Sequence, residues 1–297
     1  MRWNLSSRAR ELSGGDAILI SIPKSGRTWA RTFLSAYFGY KKGRQFSLDF
    51  TDRGEAGVPR IVYSHDRFEH RTKGNAWDRL RGKYLIPPRS LRQAPIVLLA
   101  RDPRDAFVSY FVQLTRRNPA TPGEIKELPI DELLRHPRFG IAGMVEVMNG
   151  WLEEFGDRSD FSIVRYEDLR ADPPRAFFNL LRAIGEKQID DAVFAPAIDF
   201  SDFRNMQKLE AAGEFGSKIL QPRDRDDLET FKVRQGKVGG FREYLSGEDQ
   251  IYATQICAGL NPRFGYEAAS GNPGGTKSAS LRARRHTPER PRAENNL

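Results

Sequence analysis

The 297-residue chain has little cysteine: Cys257 is the only one. One thiol excludes an intramolecular disulfide and any zinc site built from cysteines. Long apolar runs are missing too. Pro95–Ala100 is typical of the longest, far short of the ~18 residues that a membrane-spanning helix needs. Met1-Arg2-Trp3-Asn4 carries arginine but no apolar core of a signal peptide follows it. These absences lead us to expect a cytoplasmic protein without a membrane span. No internal repeat is present, and no metal-ligand spacing of His, Cys, Asp and Glu stands out, so no metal is expected.

An apolar fraction of 39% suffices for a sizeable core. The net charge of +9 raises a nucleic-acid reading, but much of it is at one end. From Ala268 on, Lys277, Arg282, Arg284, Arg285, Arg290 and Arg292 oppose only Glu289 and Glu294. That stretch, rich in Gly, Pro, Ser and Arg, reads as a disordered basic tail over 268–297. The charge left over suits a small polyanion, and no nucleic-acid partner is expected. Residues 1–15 read as an N-terminal extension and 16–267 as one domain.

Within that domain short apolar runs alternate with helical patterns, the signature of a parallel sheet with crossover helices. Strands are predicted at 17–22, 60–64, 95–100 and 161–166. Helices are predicted from Thr28 to about Tyr37 and from Pro173 to Gly185. Met144, Val147, Met148, Trp151 and Phe155 form one stripe, read as core. The proline-dotted stretch from Asn118 to Arg138 reads as an irregular lid or acceptor-side insertion. The fold class is α/β: a single domain with a central parallel sheet flanked by helices, in a P-loop-like nucleotide-binding architecture.

After the first strand comes Pro23-Lys24-Ser25-Gly26-Arg27-Thr28-Trp29. A glycine-containing loop between strand and helix turns backbone N–H groups toward an anion, and the positive helix end points at the same spot. Lys24 precedes the glycine, so this is not the Walker pattern G-x-x-x-x-G-K-[ST]. The third strand runs into Arg101-Asp102-Pro103-Arg104-Asp105, with Asp102 placed as an N-cap, Pro103 at the first helical position and Asp105 closing a capping-box-like pair. Arg101 would then project from the carboxyl edge of the sheet, where ligands of open α/β sheets bind, with Ser109 two turns into the next helix.

The loop resembles the P-K-S-G-T-T-W phosphosulfate loop of the sulfotransferase family, with Arg27 where the family commonly has Thr. Arg101 and Ser109 match its R-D-P-R-D-x-x-V-S-Y segment. Arg234-Gln235-Gly236-Lys237-Val238-Gly239-Gly240-Phe241 is similar to its R-K-G-x-x-G-D-W lid, with Gln235, Gly240 and Phe241 as departures. Tyr166, in Tyr166-Glu167-Asp168, matches its Y-E-D segment, and Ser201, Phe203 and Met206 fit its S/T-x-F-x-x-M pattern. The resemblance covers roughly Asp16 to Tyr266.

The resemblance implies transfer of a sulfuryl group from 3′-phosphoadenosine-5′-phosphosulfate (PAPS) to a hydroxyl or amine of a small-molecule or glycan acceptor. It assigns the donor's 5′ end to Lys24, Ser25, Gly26 and Thr28, with Arg27 left either to the donor's sulfate or phosphate or to a surface ion pair, and its 3′-phosphate to Arg101, Ser109, Arg234, Gln235 and Gly236. Trp29, Tyr166, Ser201, Phe203 and Met206 would surround the adenine. Lys24 would stabilise the leaving group. His65, after the second strand, is the candidate base; His70, Asp66 and Glu69 are the alternatives. Tyr63, Phe68, Trp77, Tyr84 and Phe111 are candidate walls of an apolar acceptor pocket. Two other functions stay open: a non-catalytic nucleotide or sulfated-ligand binding protein on the same fold, and a P-loop-like phosphotransferase.

Overall fold

A computed structural model describes residues 7–213, 231–233 and 236–266. The predicted basic tail and the expected donor contacts Arg234 and Gln235 lie outside the described residues. Four strands, β1 (Ala17–Ser21), β2 (Ile61–Ser64), β3 (Ile96–Ala100) and β4 (Phe161–Arg165), form one parallel sheet in the order β2-β1-β3-β4. Each predicted strand is present, shorter by at most one residue at either end.

β1 and β3 are the central strands, and every residue in both is buried. Their continuous apolar sequence follows from helices on both faces. Successive side chains alternate between faces. Ile18, Ile20, Ile96 and Leu98 pack in the same cluster as Met144, Met148 and Trp151 of the Ile141–Phe155 helix. Ala17, Leu19, Val97 and Leu99 pack in a second cluster with Phe33 and Tyr37 of the Arg27–Lys41 helix and Phe177 of the Pro173–Ala183 helix. The stripe predicted as core is buried in full, and so is Cys257.

Residues 118–138 depart from expectation. Two short helices, Gly123–Lys126 and Ile130–Arg135, occupy the stretch, and Ile125, Leu133 and Leu134 join the core. Their apolar side chains between the prolines outweigh the turn signals. Ahead of the sheet, Ser7–Glu11 is helical, Leu12 is buried in the core, and Arg8 donates to Glu69 at 2.7 Å. This segment contributes to the packing of the domain.

Candidate active site

Each strand of the parallel sheet is followed at its carboxyl end by a residue that lines one cavity of about 190 Å³: Lys24 after β1, His65 after β2, Arg101 after β3 and Tyr166 after β4. Parallel strands deliver all four to the same edge, which is why ligands of such sheets bind there.

The β1 loop has two left-handed residues, Lys24 at φ 70° and Gly26 at φ 86°. That conformation is strained for lysine; the Lys24 carbonyl is held by Arg101 Nη1 at 2.9 Å. At Gly26 both backbone and space demand glycine, because a Cβ would lie 2.9 Å from the Tyr166 ring. Gly26 is also the N-cap of the Arg27–Lys41 helix, so no side chain occupies the first-turn N–H groups. These orphan donors and the helix dipole together favour an anion at Gly26, Arg27 and Thr28, all of which line the cavity. Gly26→Ala should lower stability by roughly 1–3 kcal/mol and weaken nucleotide binding; thermal melts with and without ligand check both.

Arg101 is almost wholly buried. Its second Nη donates to the Lys237 carbonyl at 3.1 Å, and its guanidinium lies 4.2 Å from the Tyr166 ring centroid. Carbonyls and ring fix the fork in place, while Nε has no acceptor among the described residues. A buried charged donor without an acceptor is costly, and an incoming anion would supply one. Ser109 lines the same cavity. Asp102 caps its helix as predicted, accepting from Arg104 N at 2.9 Å.

Asp105 does not close a capping box. Its carboxylate accepts from Gly239 N at 2.6 Å and Phe241 N at 2.9 Å, tying the 236–241 loop over Arg101. Nothing near Asp105 in sequence signals this role, since its partners are more than a hundred residues away. Asp105→Asn removes one of the two paired acceptors and is expected to weaken nucleotide binding several-fold at nearly unchanged fold. Calorimetry and far-ultraviolet dichroism read the two effects separately.

Trp29, Tyr166, Phe203 and Met206 all reach the cavity. Trp29 meets Tyr166 edge-on at 6.1 Å. Gly236, at φ 62°, leaves no room for a Cβ, which would come within 2.6 Å of Phe203. Two of the expected donor contacts do not line the cavity. Ser201 is fully buried, donates to the Ile198 carbonyl at 3.2 Å and does not line the cavity. Ser25 is likewise fully buried and absent from the lining, and its Oγ has no hydrogen-bond partner among the described residues.

His65 Nδ1 lies 2.7 Å from the Ser21 carbonyl oxygen. A carbonyl only accepts, so Nδ1 carries the proton and Nε2 keeps its lone pair. Burial, and secondly the positive Arg27, hold the imidazole pKa well below its ordinary value. The alternatives are engaged elsewhere. Asp66 accepts from Ile86 N at 2.8 Å and Trp151 Nε1 at 3.2 Å. Glu69 pairs with Arg8 and Lys73; burial would raise its pKa, but the surrounding cations bring it down to about 2. His70 lines a different cavity.

None of the five aromatic residues expected as acceptor walls lines the cavity, and neither does any residue of 118–138. Phe68 is core and Trp77 is 61% exposed. Val108, Phe241 and Tyr244 supply the apolar lining instead. Lys232 and Tyr244 are lining residues that no motif singled out.

Residues 15–265 match the family described as the sulfotransferase domain. The chain belongs to the sulfotransferase family. Among its relatives, the amine sulfotransferase of Oryctolagus cuniculus is 24% identical over 83% of this chain and 82% of its own. The flavonol 3-sulfotransferase of Flaveria bidentis is 22% identical over 82% and 81%. A solved structure of mouse sulfotransferase SULT7A1 in complex with PAP shares the fold, with a TM-score of 0.55 and 16% identity over 86% of this chain and 88% of that one. As in any sulfotransferase, the chemistry is sulfuryl transfer. Among the described residues, no helix is long and apolar enough to cross a membrane.

Proposed function

We propose that this sulfotransferase binds PAPS across the carboxyl edge of the sheet and sulfates a small molecule at His65. The observation that carries the reading is Arg101, fixed by two carbonyls and the Tyr166 ring yet with Nε unpartnered among the described residues. An arginine fork held this way suits a phosphate, with Ser109 as a second donor. Lys24 and the uncapped helix end suit the donor's other anionic end. Trp29, Tyr166, Phe203 and Met206 offer faces and edges to a purine. These residues therefore fit the donor.

The donor supplies an activated sulfuryl group on a phosphate leaving group. Positioning and charge stabilisation account for most of the rate of such transfers. On the protein side, His65 Nε2 accepts the proton of the acceptor hydroxyl or amine, with the Ser21 carbonyl fixing the tautomer. Lys24 offsets the charge that builds on the leaving oxygen. The 236–241 loop, held by Asp105, closes over the nucleotide and excludes water. A small-molecule acceptor fits a cavity of about 190 Å³ better than a glycan, and the lone buried cysteine suits a reducing cytoplasm.

The test is transfer of labelled sulfate from PAPS to a panel of phenols and amines, with calorimetric titration of adenosine 3′,5′-bisphosphate, 5′-AMP and ATP. Transfer to at least one acceptor, with the bisphosphate preferred over 5′-AMP, supports the reading. Equal affinity for the bisphosphate and 5′-AMP overturns it.

A further inference from the structure

Cations gather on the His65 side of the cavity, and among the described residues the carboxylates near them are paired, although Asp52 Oδ1 has no hydrogen-bond partner. Arg27 and Lys232 both line the cavity. Arg27 Nη1 is shielded from solvent and has no acceptor among the described residues. Asp52 pairs with Arg31, and Glu69 pairs with Arg8 and Lys73. Beside Lys232, the carboxylate of Glu210 is fully buried and taken by the backbone: it accepts from Lys232 N at 2.7 Å and Val233 N at 2.9 Å, with Arg117 4.0 Å away.

Burying like charges together is costly unless an anion accompanies them. Burial pulls Arg27 down to about 10, with Glu69 and Asp52 opposing and Arg31 and Arg8 reinforcing the shift, and burial together with Arg27 and Arg117 pulls Lys232 down to about 7 against Glu210. The donor's own anionic groups already have Lys24, the helix end and Arg101. Arg27 acts electrostatically on His65, the group that an acceptor must reach.

We propose that Arg27 and Lys232 form a recognition point for an anionic group on the acceptor, a carboxylate, sulfate or phosphate placed beside the hydroxyl or amine that is sulfated. This rests on the donor reading above and deepens it from a small molecule to an anionic one. A carboxylate at this point would bridge the two cations and bring the nucleophile toward His65 Nε2. A neutral acceptor would leave the positive charge uncompensated. The position of Arg27 in the phosphate loop, where the related loops carry a short hydroxyl side chain, gives the cation its reach toward the His65 side.

The experiment compares 3- and 4-hydroxybenzoate with their methyl esters as acceptors, alongside calorimetric binding of benzoate and benzamide to the protein saturated with adenosine 3′,5′-bisphosphate. The wild type should prefer acid over ester in kcat/KM, or benzoate over benzamide in Kd where neither ester nor acid turns over, by on the order of tenfold. Lys232→Met should reduce that preference to within about twofold with bisphosphate affinity unchanged, and Arg27→Thr should reduce it likewise, the acid-to-ester ratio being read at saturating donor because Arg27 belongs to the donor loop. Equal use of acid and ester by the wild type overturns the proposal, as does a preference that survives both substitutions. If Arg27→Thr weakens PAPS with every acceptor and leaves the acid-to-ester ratio intact, Arg27 serves the donor's sulfuryl group and the proposal also fails. Failure of the donor reading shows separately, as absent bisphosphate binding in the wild type, and the benzoate–benzamide comparison still reports anion preference in that case.

Discussion

Arg101→Ala is expected to weaken binding of adenosine 3′,5′-bisphosphate about 100-fold and to leave 5′-AMP affinity within a few-fold of wild type. Charge-assisted hydrogen bonds contribute roughly 1.5–3 kcal/mol each, and every 1.4 kcal/mol is about tenfold. The selectivity follows from position: Arg101 follows β3, on the far side of the phosphate loop from β2 and His65. Because Arg101 also ties the Lys24 carbonyl to the Lys237 carbonyl, the alanine variant will loosen the loop. Arg101→Lys separates the two roles. It keeps the positive charge but loses the planar fork, so an intermediate loss with near-native melting temperature is expected. Equal loss of both nucleotides in both variants would mean that Arg101 only braces the loop.

His65→Ala should lower kcat by about 10²–10⁴, the range that a positioned general base contributes, with bisphosphate affinity unchanged. The pH profile carries the stronger check. A base works unprotonated. Since burial and Arg27 hold the His65 pKa well below the ordinary 6.5, kcat should be level from about pH 6.5 upward, with any acid limb falling below that value. The same shift has a consequence for stability. The folded state disfavours the imidazolium, so the contribution of His65 is fully present above the unfolded-state pKa and is lost as the pH falls through 6.5 toward the folded-state value. His65→Gln should therefore flatten the acid side of the stability curve. An acid limb centred at or above pH 6.5, or a kcat loss under about threefold, would remove His65 from the role of base.

The β1 loop, the Asp102 cap and the Arg101–Ser109 spacing were legible because each is a local pattern: apolar run, turn and helix start within a dozen residues. Trp29, Tyr166, Phe203 and Met206 were legible only from their order along the chain, since spacing alone reads each of them equally well as core. Ser25 and Ser201 are buried out of the cavity lining, which no motif reveals, because a hydroxyl in a motif says nothing of how packing encloses it. The expected acceptor walls failed for the same reason. Phe68 serves the core and Trp77 the surface, while Tyr244, which carries no motif, lines the cavity.

Sequence alone determined the parallel α/β scaffold, the phosphate loop with Lys24 ahead of Gly26, and the family. Apolar periodicity and glycine stereochemistry act over a few residues and leave their mark in the chain. Tertiary structure alone decided that Asp105 anchors the 236–241 loop, that His65 Nδ1 faces the Ser21 carbonyl while Asp66 and Glu69 are engaged elsewhere, and that Arg27 and Lys232 line the same cavity as His65. Burial, charge and hydrogen-bond competition are properties of neighbours in space, and these neighbours come from segments far apart in the chain.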